Sequence, residues 1–559
     1  MDSYFKENEE FPYDSENENE VDDDLSDADS EMEDDIDSDE DGEDNQYETN
    51  VGVQDEKIYG KDKQCVWYNR PQTVRTHLPT FRDTDEDKVH NQVPSHSIKA
   101  TFEFFLTDEI IQKVTEATNQ RGVMAHGNDW VLTDDVEIRA WIGLHLRAGV
   151  NKDNHRPVEE LFASKTGPPI YGATMSRERF KILKQNMRFD DVTTREERKR
   201  NEKEGKLAPI NELFTLFIEN CKMNFSAGAN VTIDESIVAF NGRCNFKVFM
   251  PSKPDRHGIK VWALTDSKTS YLVNAQIYKG KESNKKESGQ AERVVKDLAA
   301  IIEGSGRNIT LDNFFTSYNL SKDLLEKGLT ILGTLRRNKK EIPPCLQASR
   351  DRVVHSTEFC FSKESRIMLS SYVPKRNKAV IMISSKHYDT GFEVALPHKP
   401  DTIVDYNRTK SGVDTLDQLV KSYSCKRTTN RWPLVIFYYM IDIAAYNASV
   451  CFMDRNPGTY TGAQRRRKFL MDLSESLVLP LIQRRSSSTN FHMMHKDTRS
   501  KIEVFIPRPI ISVQAAGTNP RRRCGKCPRD LDRKARRICS KCSTPVCENH
   551  YNFICNDCV

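Results

Sequence analysis

The chain has 559 residues, which predicts about three or four domains and a sizeable buried core. Its 83 basic and 83 acidic residues cancel, but residues 1–44 contain 23 acidic residues and one lysine, which leaves 82 basic against 60 acidic residues in the remainder. The basic excess after residue 44 favours a polyanionic partner, and nucleic acid is the first candidate. The lack of an apolar N-terminal segment argues against a secreted or membrane-anchored protein.

Residues 1–98 are predicted to form a disordered acidic tail followed by a polar linker, because the tail is poor in aromatic residues and rich in like charge. Residues 99–228 are predicted to form the first part of a helical domain. Apolar residues recur there at helical spacing from Ile138 to Leu146, and Ser176 has the position of an N-cap that opens a second helix.

A change to β-rich runs near residue 229 predicts an α/β domain. Through residue 337 the runs follow the order of three strands, helix, strand, helix, strand, which is the order of an RNase H-like core. Residues 338–398 are predicted to be a β-rich insertion, and residues 399–423 the last part of the catalytic domain.

The rest of the chain is predicted to comprise a second helical part over 424–500, a linker over 501–519 and a basic, cysteine-rich module over 520–559. The most apolar stretch, residues 434–453, contains Asp442 and Asn447. These polar residues favour a buried core helix over a membrane span.

Four aspartates have the places that catalysis in an RNase H-like core requires. Such a nuclease needs carboxylates that converge on two divalent ions roughly 3.5–4 Å apart, and hard oxygen ligands favour Mg²⁺. Asp234 lies in the first strand, Asp312 ends the fourth, and Asp414 and Asp417 share one face of a late helix. Taken singly, each aspartate also suits an ordinary turn or helix cap, so their joint order carries the prediction.

Several blocks of sequence stand out around these aspartates. They are residues 173–177 (ATMSR), 232–236 (TIDES), 240–243 (FNGR), 251–254 (PSKP), 258–260 (GIK), 308–317 (NITLDNFFTS), 412–418 (GVDTLDQ) and 429–433 (TNRWP). In this order and with these gaps, they resemble the blocks of piggyBac-family transposases, and the resemblance covers roughly residues 100–559.

The resemblance implies a cut-and-paste DNA transposase that cleaves and joins double-stranded DNA at TTAA sites through a hairpin intermediate. It implies that Asp234, Asp312 and Asp414 are the catalytic residues that hold two Mg²⁺ ions, with Asp417 as a further acid close to the metals. It also implies that the two helical parts join as a dimerisation and DNA-binding domain. We therefore expect a homodimer that acts on transposon terminal inverted repeats in the nucleus.

Cationic and aromatic residues around the core are candidates for DNA contact, because a catalytic groove must neutralise phosphates and an indole can stack on an unpaired base. The candidates are Arg336, Arg337, Lys426, Arg427, Asn430, Arg431, Trp432, Arg536 and Arg537. Structural alternatives stay open: Trp432 also suits a core anchor for the helix that follows, and Arg336 and Arg337 also suit a solvated hairpin.

Seven of the 14 cysteines lie in the last 36 residues, where four closely spaced ligand pairs predict two zinc ions. Interleaved pairing places one ion on Cys524, Cys527, Cys547 and His550 and the other on Cys539, Cys542, Cys555 and Cys558. The ligand order resembles the cysteine-rich domain of piggyBac transposases, which binds transposon-end DNA. It differs from that of a PHD finger, in which histidine would come fifth.

The sequence therefore predicts an active, magnesium-dependent transposase with a C-terminal zinc module. A second class of function stays open, namely a domesticated, non-catalytic DNA- or chromatin-binding protein derived from such a transposase. The intact aspartates favour the enzyme.

Overall fold

The computed structural model describes residues 56–74, 81, 89–90, 92–94, 96–200, 205–251, 253–280, 287–392, 399–507, 521–539 and 544–550. The chain divides into two compact units, Met1–Gln54 and Asp55–Val559, and every described residue belongs to the second unit. The disorder predicted for the acidic tail falls outside the described residues.

Strands and helices alternate in blocks along the described chain. The strands are β1 Lys57–Tyr59, β2 Val66–Tyr68, β3 Asn230–Ala239, β4 Lys247–Phe249, β5 His257–Asp266, β6 Leu272–Ile277, β7 Asn308–Leu311, β8 Thr330–Thr334, β9 Thr357–Ser362, β10 Met368–Lys375, β11 Lys378–Ser384, β12 Arg522–Arg523 and β13 Lys534–Ala535. The helices are α1 Ile98–Glu103, α2 Asp108–His126, α3 Asp135–Val150, α4 Val158–Leu161, α5 Pro169–Thr174, α6 Arg177–Asn186, α7 Arg195–Arg200, α8 Asn211–Asn224, α9 Gln290–Ala299, α10 Tyr318–Glu326, α11 Asp401–Thr409, α12 Gly412–Ser422, α13 Trp432–Arg455, α14 Arg465–Ser486 and α15 Lys496–Phe505.

The centre of the molecule is a mixed sheet whose order includes β6–β5–β3–β7–β8. Strands β6, β5 and β3 are antiparallel neighbours, whereas β3, β7 and β8 run parallel. The parallel connections pass through α9 and α10, as parallel strands require a crossover. The predicted order of three strands, helix, strand, helix, strand is therefore confirmed, and the short β4 also pairs with β5.

The predicted insertion does not form a separate sheet. Its strand β11 pairs antiparallel with β8, and β10 and β9 continue the sheet outward. Strands β2 and β1 then extend it further, so the polar linker predicted up to residue 98 contains two strands. Trp67 explains this difference, because its fully buried ring lies 5.4 Å from that of Tyr318 and its Nε1 donates to the Glu341 carbonyl at 2.9 Å.

Helices from before and after the sheet pack together. Helix α3 packs against α14, and α5 packs against α15, so the two parts that the sequence assigns to one helical domain are in contact. The predicted N-cap is present, since Ser176 Oγ accepts from the N–H of Arg179 at 3.1 Å. Helix α13 is long and apolar enough to cross a membrane, but 94% of its apolar window is buried inside the protein, as predicted for a core helix.

Candidate active site and metal centre

Asp234 on β3 lies beside Asp312, the residue that follows the neighbouring parallel strand β7. The register pairs Ile233 of β3 with Leu311 of β7, so the next residue along each strand is an aspartate. Strand β7 ends at Leu311, and Asp312 begins a tight turn in which its Oδ1 accepts from the N–H of Phe314 at 2.9 Å. The parallel register thus brings together the first two predicted catalytic carboxylates.

Helix α12 brings the other two aspartates to the same place. Asp417 accepts a 2.6 Å hydrogen bond from Ser236 Oγ on β3, and Asp414, in the first turn of the helix, pairs with Lys253 Nζ at 2.8 Å. Ser236 and Asp234 are two residues apart on one strand, so both project from the same face of the sheet. The four predicted carboxylates therefore converge on one face.

The close approach of α12 to the sheet depends on Gly412. A Cβ atom at this position would lie 2.7 Å from the hydroxyl oxygens of Thr232 on β3 and Thr265 on β5. No other residue type leaves room for that contact without moving the helix or the strands. Gly412 therefore sets the distance from Asp414, two residues later, to the strand that carries Asp234.

Gly412→Ala is expected to push the N-terminus of α12 off the sheet. We expect a loss of about 1–3 kcal/mol in the free energy of unfolding, the usual cost of overpacking, and a larger proportional loss of the DNA nicking that the sequence predicts. The measurements are denaturant unfolding and a nicking assay. Ser411→Ala is the matched control, because Ser411 is exposed and its side chain makes no capping hydrogen bond to α12. Equal effects of both substitutions would contradict this role.

Burial and mutual repulsion raise the pKa values of three of these carboxyl groups. Burial raises the pKa of Asp234 well above its ordinary value, an effect that Lys253 opposes and the charges of Glu235 and Asp312 reinforce. Burial and the charge of Glu235 likewise raise the pKa of Asp312, and burial raises the pKa of Asp417 to about 7. A divalent cation would relieve this repulsion, so the oxygen donors fit a hard ion such as Mg²⁺.

Several residues that hold the carboxylates in place were missed by sequence reasoning. Ser236 and Lys253 are two of them. A third is Thr409, at the end of α11, which hydrogen-bonds that helix to the sheet. Its carbonyl accepts from Thr232 Oγ1 at 2.5 Å, and its hydroxyl shares a 2.7 Å hydrogen bond with that of Thr310. The available signal was the pair of threonines within apolar strand runs, because buried hydroxyl groups need partners.

Arg427 and Lys426, predicted to contact DNA, bind the protein itself. Arg427 is 6% exposed, and its guanidinium donates to the backbone carbonyls of Asp153, at 3.0 Å, and Arg156. Lys426 Nζ donates to the carbonyl of Ala239 at the end of β3. Arg427 therefore joins its segment to the loop after α3, and Lys426 joins the same segment to the sheet. Phosphate contact by either residue stays a prediction.

Arg431 and Trp432 also have structural partners. The Arg431 guanidinium donates to the carbonyls of Lys184 at 3.1 Å and Gln185 at 2.8 Å, in the last turn of α6. A helix leaves these last carbonyls without partners, and its negative end favours a cation. The Trp432 ring packs edge-on against Phe246, with centroids 5.1 Å apart, so the alternative of a core anchor describes its position.

The other predicted DNA contacts are at the surface. These exposed residues are Arg336, Arg337, Asn430, Arg536 and Arg537. Arg336 is close to the carboxylates, because its charge opposes the rise that burial causes in the pKa of Asp312. Its Nε also lies 3.4 Å from Asn313 Oδ1, an acceptor in the turn after β7.

Arg427→Gln is expected to destabilise the protein without changing how DNA binding depends on salt. The change leaves buried carbonyls without their donor, at a cost of about 1–3 kcal/mol. The salt slope should stay constant, since Arg427 neutralises no phosphate. Arg336→Gln should do the reverse, lowering the slope by about one with little loss of stability. Denaturant unfolding and salt-dependent binding to duplex DNA separate the two, and a lower slope for Arg427→Gln would contradict its structural role.

Near the C-terminus, Cys524, Cys527, Cys547 and His550 form a cluster with the dimensions of a metal site. Their ligand atoms all lie within 4.8 Å of one another. Cys527 Sγ is 3.7 Å from Cys547 Sγ, which is 3.4 Å from His550 Nδ1. Zinc–ligand bonds of about 2.3 Å to sulfur and 2.0–2.1 Å to nitrogen give separations of roughly 3.5–3.8 Å in a tetrahedron. The first predicted zinc quartet is therefore brought together.

The second predicted quartet falls largely outside the described residues. Cys539 is buried, but Cys542, Cys555 and Cys558 are not described. Strands β12 and β13 pair antiparallel beside the first cluster, and the exposed Arg536 and Arg537 directly follow β13.

Comparison with known proteins identifies the family. The family model described as Transposase IS4 matches residues 99–449, which is more than half of the chain. The chain belongs to the piggyBac-type IS4 transposase family. The match begins in the short helix α1 and extends through most of α13, so it includes β3, β7, α12 and the four aspartates.

Two human proteins with piggyBac in their names are similar to this chain in sequence. The chain is 23% identical over 424 residues to PiggyBac transposable element-derived protein 2, covering 72% of this chain and 69% of that protein. It is 22% identical over 371 residues to PiggyBac transposable element-derived protein 3, covering 62% of this chain and 59% of that protein.

A solved structure has the same fold over most of the chain. It is the cryo-EM structure of a piggyBac transposase synaptic complex with hairpin DNA. The TM-score is 0.69 with 35% identity, and the match covers 82% of this chain and 96% of that chain.

Proposed function

We propose that the protein is a DNA transposase that cuts and joins strands with Asp234, Asp312 and Asp414 as its catalytic residues. The observation that carries this proposal is the meeting of these aspartates, from β3, the turn after β7 and helix α12, at one face of the sheet. The strand order β6–β5–β3–β7–β8, with its last three strands parallel, supports the RNase H-like core on which the prediction rests. Membership of a transposase family supports the same reaction.

The three aspartates would hold two Mg²⁺ ions. When bound, the ions would activate the attacking oxygen and stabilise the leaving oxygen of the broken phosphodiester bond. The half-buried, mutually repelling carboxyl groups of Asp234 and Asp312 suit this role, because a divalent cation stabilises their charged forms. Asp417 would keep α12 on β3 through Ser236. Lys253 would orient Asp414 and limit repulsion among the acids.

The proposed substrate is double-stranded DNA at transposon terminal inverted repeats, cut and joined at TTAA sites through a hairpin. The similarity to a transposase solved with hairpin DNA supports this substrate, as does the excess of basic residues after residue 44. Action as a homodimer in the nucleus belongs to the same proposal. The contact between the two helical parts, α3 with α14 and α5 with α15, is consistent with one joint dimerisation and DNA-binding domain.

The C-terminal module would bind two zinc ions and recognise the transposon end. The first ion would be held by the cluster around Cys524 and His550, whose ligand separations fit tetrahedral zinc. The second would be held by Cys539, Cys542, Cys555 and Cys558. Arg536 and Arg537, exposed beside the first cluster, would contact phosphates.

A non-catalytic DNA- or chromatin-binding protein is the second candidate. The names of both human relatives describe them as derived from a transposable element, and the chain is only 22–23% identical to them. The two candidates predict the same DNA binding but differ in strand cleavage.

A nicking assay on the full-length protein tests the proposal. The labelled duplexes carry the DNA sequences that flank the gene on each side, each abutting TTAA, and are incubated with Mg²⁺ or with EDTA. Nicking in Mg²⁺ but not in EDTA is the expected result. Specific binding without nicking would support the second candidate, and the absence of both would contradict the two candidates together.

A further inference from the structure

Phe314 is an exposed aromatic residue next to a candidate catalytic carboxylate. Its side chain is 38% exposed, whereas Phe315 is 1% exposed and packs edge-on against it, with ring centroids 4.9 Å apart. Lys260 Nζ lies 5.2 Å from the Phe314 centroid, and the Phe314 N–H donates to Asp312. The ring is thus fixed beside Asp312 with part of its surface accessible to a ligand.

The same ring forms part of a cavity of about 360 Å³, which we call the Phe314 cleft. The cleft is lined by Phe314 together with Asn313, Arg336, Asn338, Lys339, Lys340 and Glu341. Its volume is near the lower end of the roughly 300–1,000 Å³ of small-ligand pockets, so it can take a group the size of one base and not a duplex. The lining combines an aromatic face, two amides, a carboxylate and three cations.

The side of the cleft formed by residues after β8 is held by the N-terminal strands. Trp67 Nε1 donates to the carbonyl of Glu341 at 2.9 Å, and the N–H of Asp62, in the turn between β1 and β2, donates to that of Lys340 at 3.0 Å. The side formed by Phe314 is held by the hydrogen bond to Asp312. Both sides are therefore positioned before any ligand binds.

We propose that the Phe314 cleft receives one unstacked nucleobase of the DNA strand being cut, stacked on the Phe314 ring. The inference rests on the proposed transposase function. Aromatic rings stack on any base, and amide and carboxylate groups bind base edges. The cations neutralise the flanking phosphates. A site for phosphate alone would need neither the aromatic face nor the amides.

The position of the cleft gives the stacked base a role in cleavage. Phe314 and Asp312 belong to one hydrogen-bonded turn, so a base on the ring would fix the adjacent phosphate close to the carboxylates. A hairpin leaves the bases at its tip unpaired, which lowers the cost of moving one into the cleft. The sequence assigned this stacking to Trp432, but that ring is packed against Phe246 and partly buried.

The test pairs a change in the protein with a change in the DNA. Phe314→Leu keeps an apolar side chain but removes the aromatic face, and Phe314→Trp keeps the face. Each DNA substrate in the set carries one abasic site, at a different position next to the cut. We expect Phe314→Leu to slow hairpin formation roughly 5- to 150-fold, the scale of losing one base–aromatic stack, and Phe314→Trp to restore it. Phe392→Ala, at a similarly exposed phenylalanine on the insertion, is the control and should leave the rate unchanged.

The decisive result is non-additivity at one DNA position. An abasic site there should slow the wild-type protein as much as Phe314→Leu does, and should slow Phe314→Leu no further, because the same stack is already lost. Additive effects at every position, or an unchanged rate for Phe314→Leu, would overturn the inference while the transposase function stands. If the wild-type protein does not cut DNA in Mg²⁺, the proposed function itself fails.

Discussion

Asp312→Asn in the full-length protein is expected to lower nicking of a transposon end by roughly 10²–10³-fold or more, the scale of losing one group that stabilises transition-state charge. Asparagine keeps the oxygen that accepts from the N–H of Phe314, so the turn after β7 should keep its shape. What it loses is the negative charge that a divalent cation requires. DNA binding should survive, because these carboxylates would hold metal ions and repel phosphates.

Comparison among the aspartates makes the first prediction specific. Asp234→Asn and Asp414→Asn should lower nicking as much as Asp312→Asn does. Asp417→Asn should be milder, because its amide oxygen can still accept from Ser236. The matched control is Asp297→Asn, a half-exposed aspartate paired with an arginine on α9, which should nick normally. A fully active Asp312→Asn protein that still requires Mg²⁺ would show that the metal ligands lie elsewhere.

The site could be predicted from the sequence where its residues interrupt a regular pattern. Asp234 lies in a run of β-branched residues and Asp312 ends another, so each polar residue was conspicuous. Asp414 and Asp417 are three residues apart, a spacing that matters only on a helix, and α12 begins at Gly412. Strand order then determined that these residues meet, because parallel neighbours in register bring equivalent positions side by side.

The partners of the cations could not be predicted in this way. An arginine that binds phosphate has the same side chain as one that binds helix carbonyls, so residue type alone does not separate them. Arg427 and Arg431 bind carbonyls of residues 153–185, which lie more than 240 positions earlier. Only the packing of α6 and the loop after α3 against this segment decides between the two uses. The sequence therefore could not show which of these cations have partners inside the protein.

The N-terminal strands were missed for a related reason. The apolar side chains of residues 57–68 lie in two short groups separated by polar residues, and a three-residue strand has almost no periodicity to detect. Their stability comes from distant partners, since Trp67 donates to Glu341, 274 residues later. The signal that was available is the run of Val66, Trp67 and Tyr68, because large aromatic side chains next to each other need a core to enter.

Cys547→Ser in the full-length protein is expected to remove the first zinc ion and with it the selection of transposon ends. Cysteine thiolate is a much stronger ligand for zinc than serine hydroxyl, and the three remaining ligands would leave the tetrahedral site open. The zinc content found by metal analysis should fall from two equivalents per protein molecule to one or fewer. The body of the protein should keep its thermal stability, because its described core is built from the sheet and helices and lacks this cluster.

The functional measurement is the ratio of the affinity for the genuine transposon end to the affinity for a scrambled duplex, and not the total binding of DNA. Phosphate contacts by the basic body position DNA without reading its sequence, so affinity for scrambled duplex should change little. The preference for the genuine end should fall by at least about tenfold, a small part of the 10³–10⁷ that separates specific from non-specific binding. Cys345→Ser, at an exposed cysteine outside the cluster, is the matched control and should keep both zinc ions and the preference. If Cys547→Ser loses its zinc yet still selects its own ends, sequence recognition must belong to the helical domain, and the C-terminal module would have a different partner.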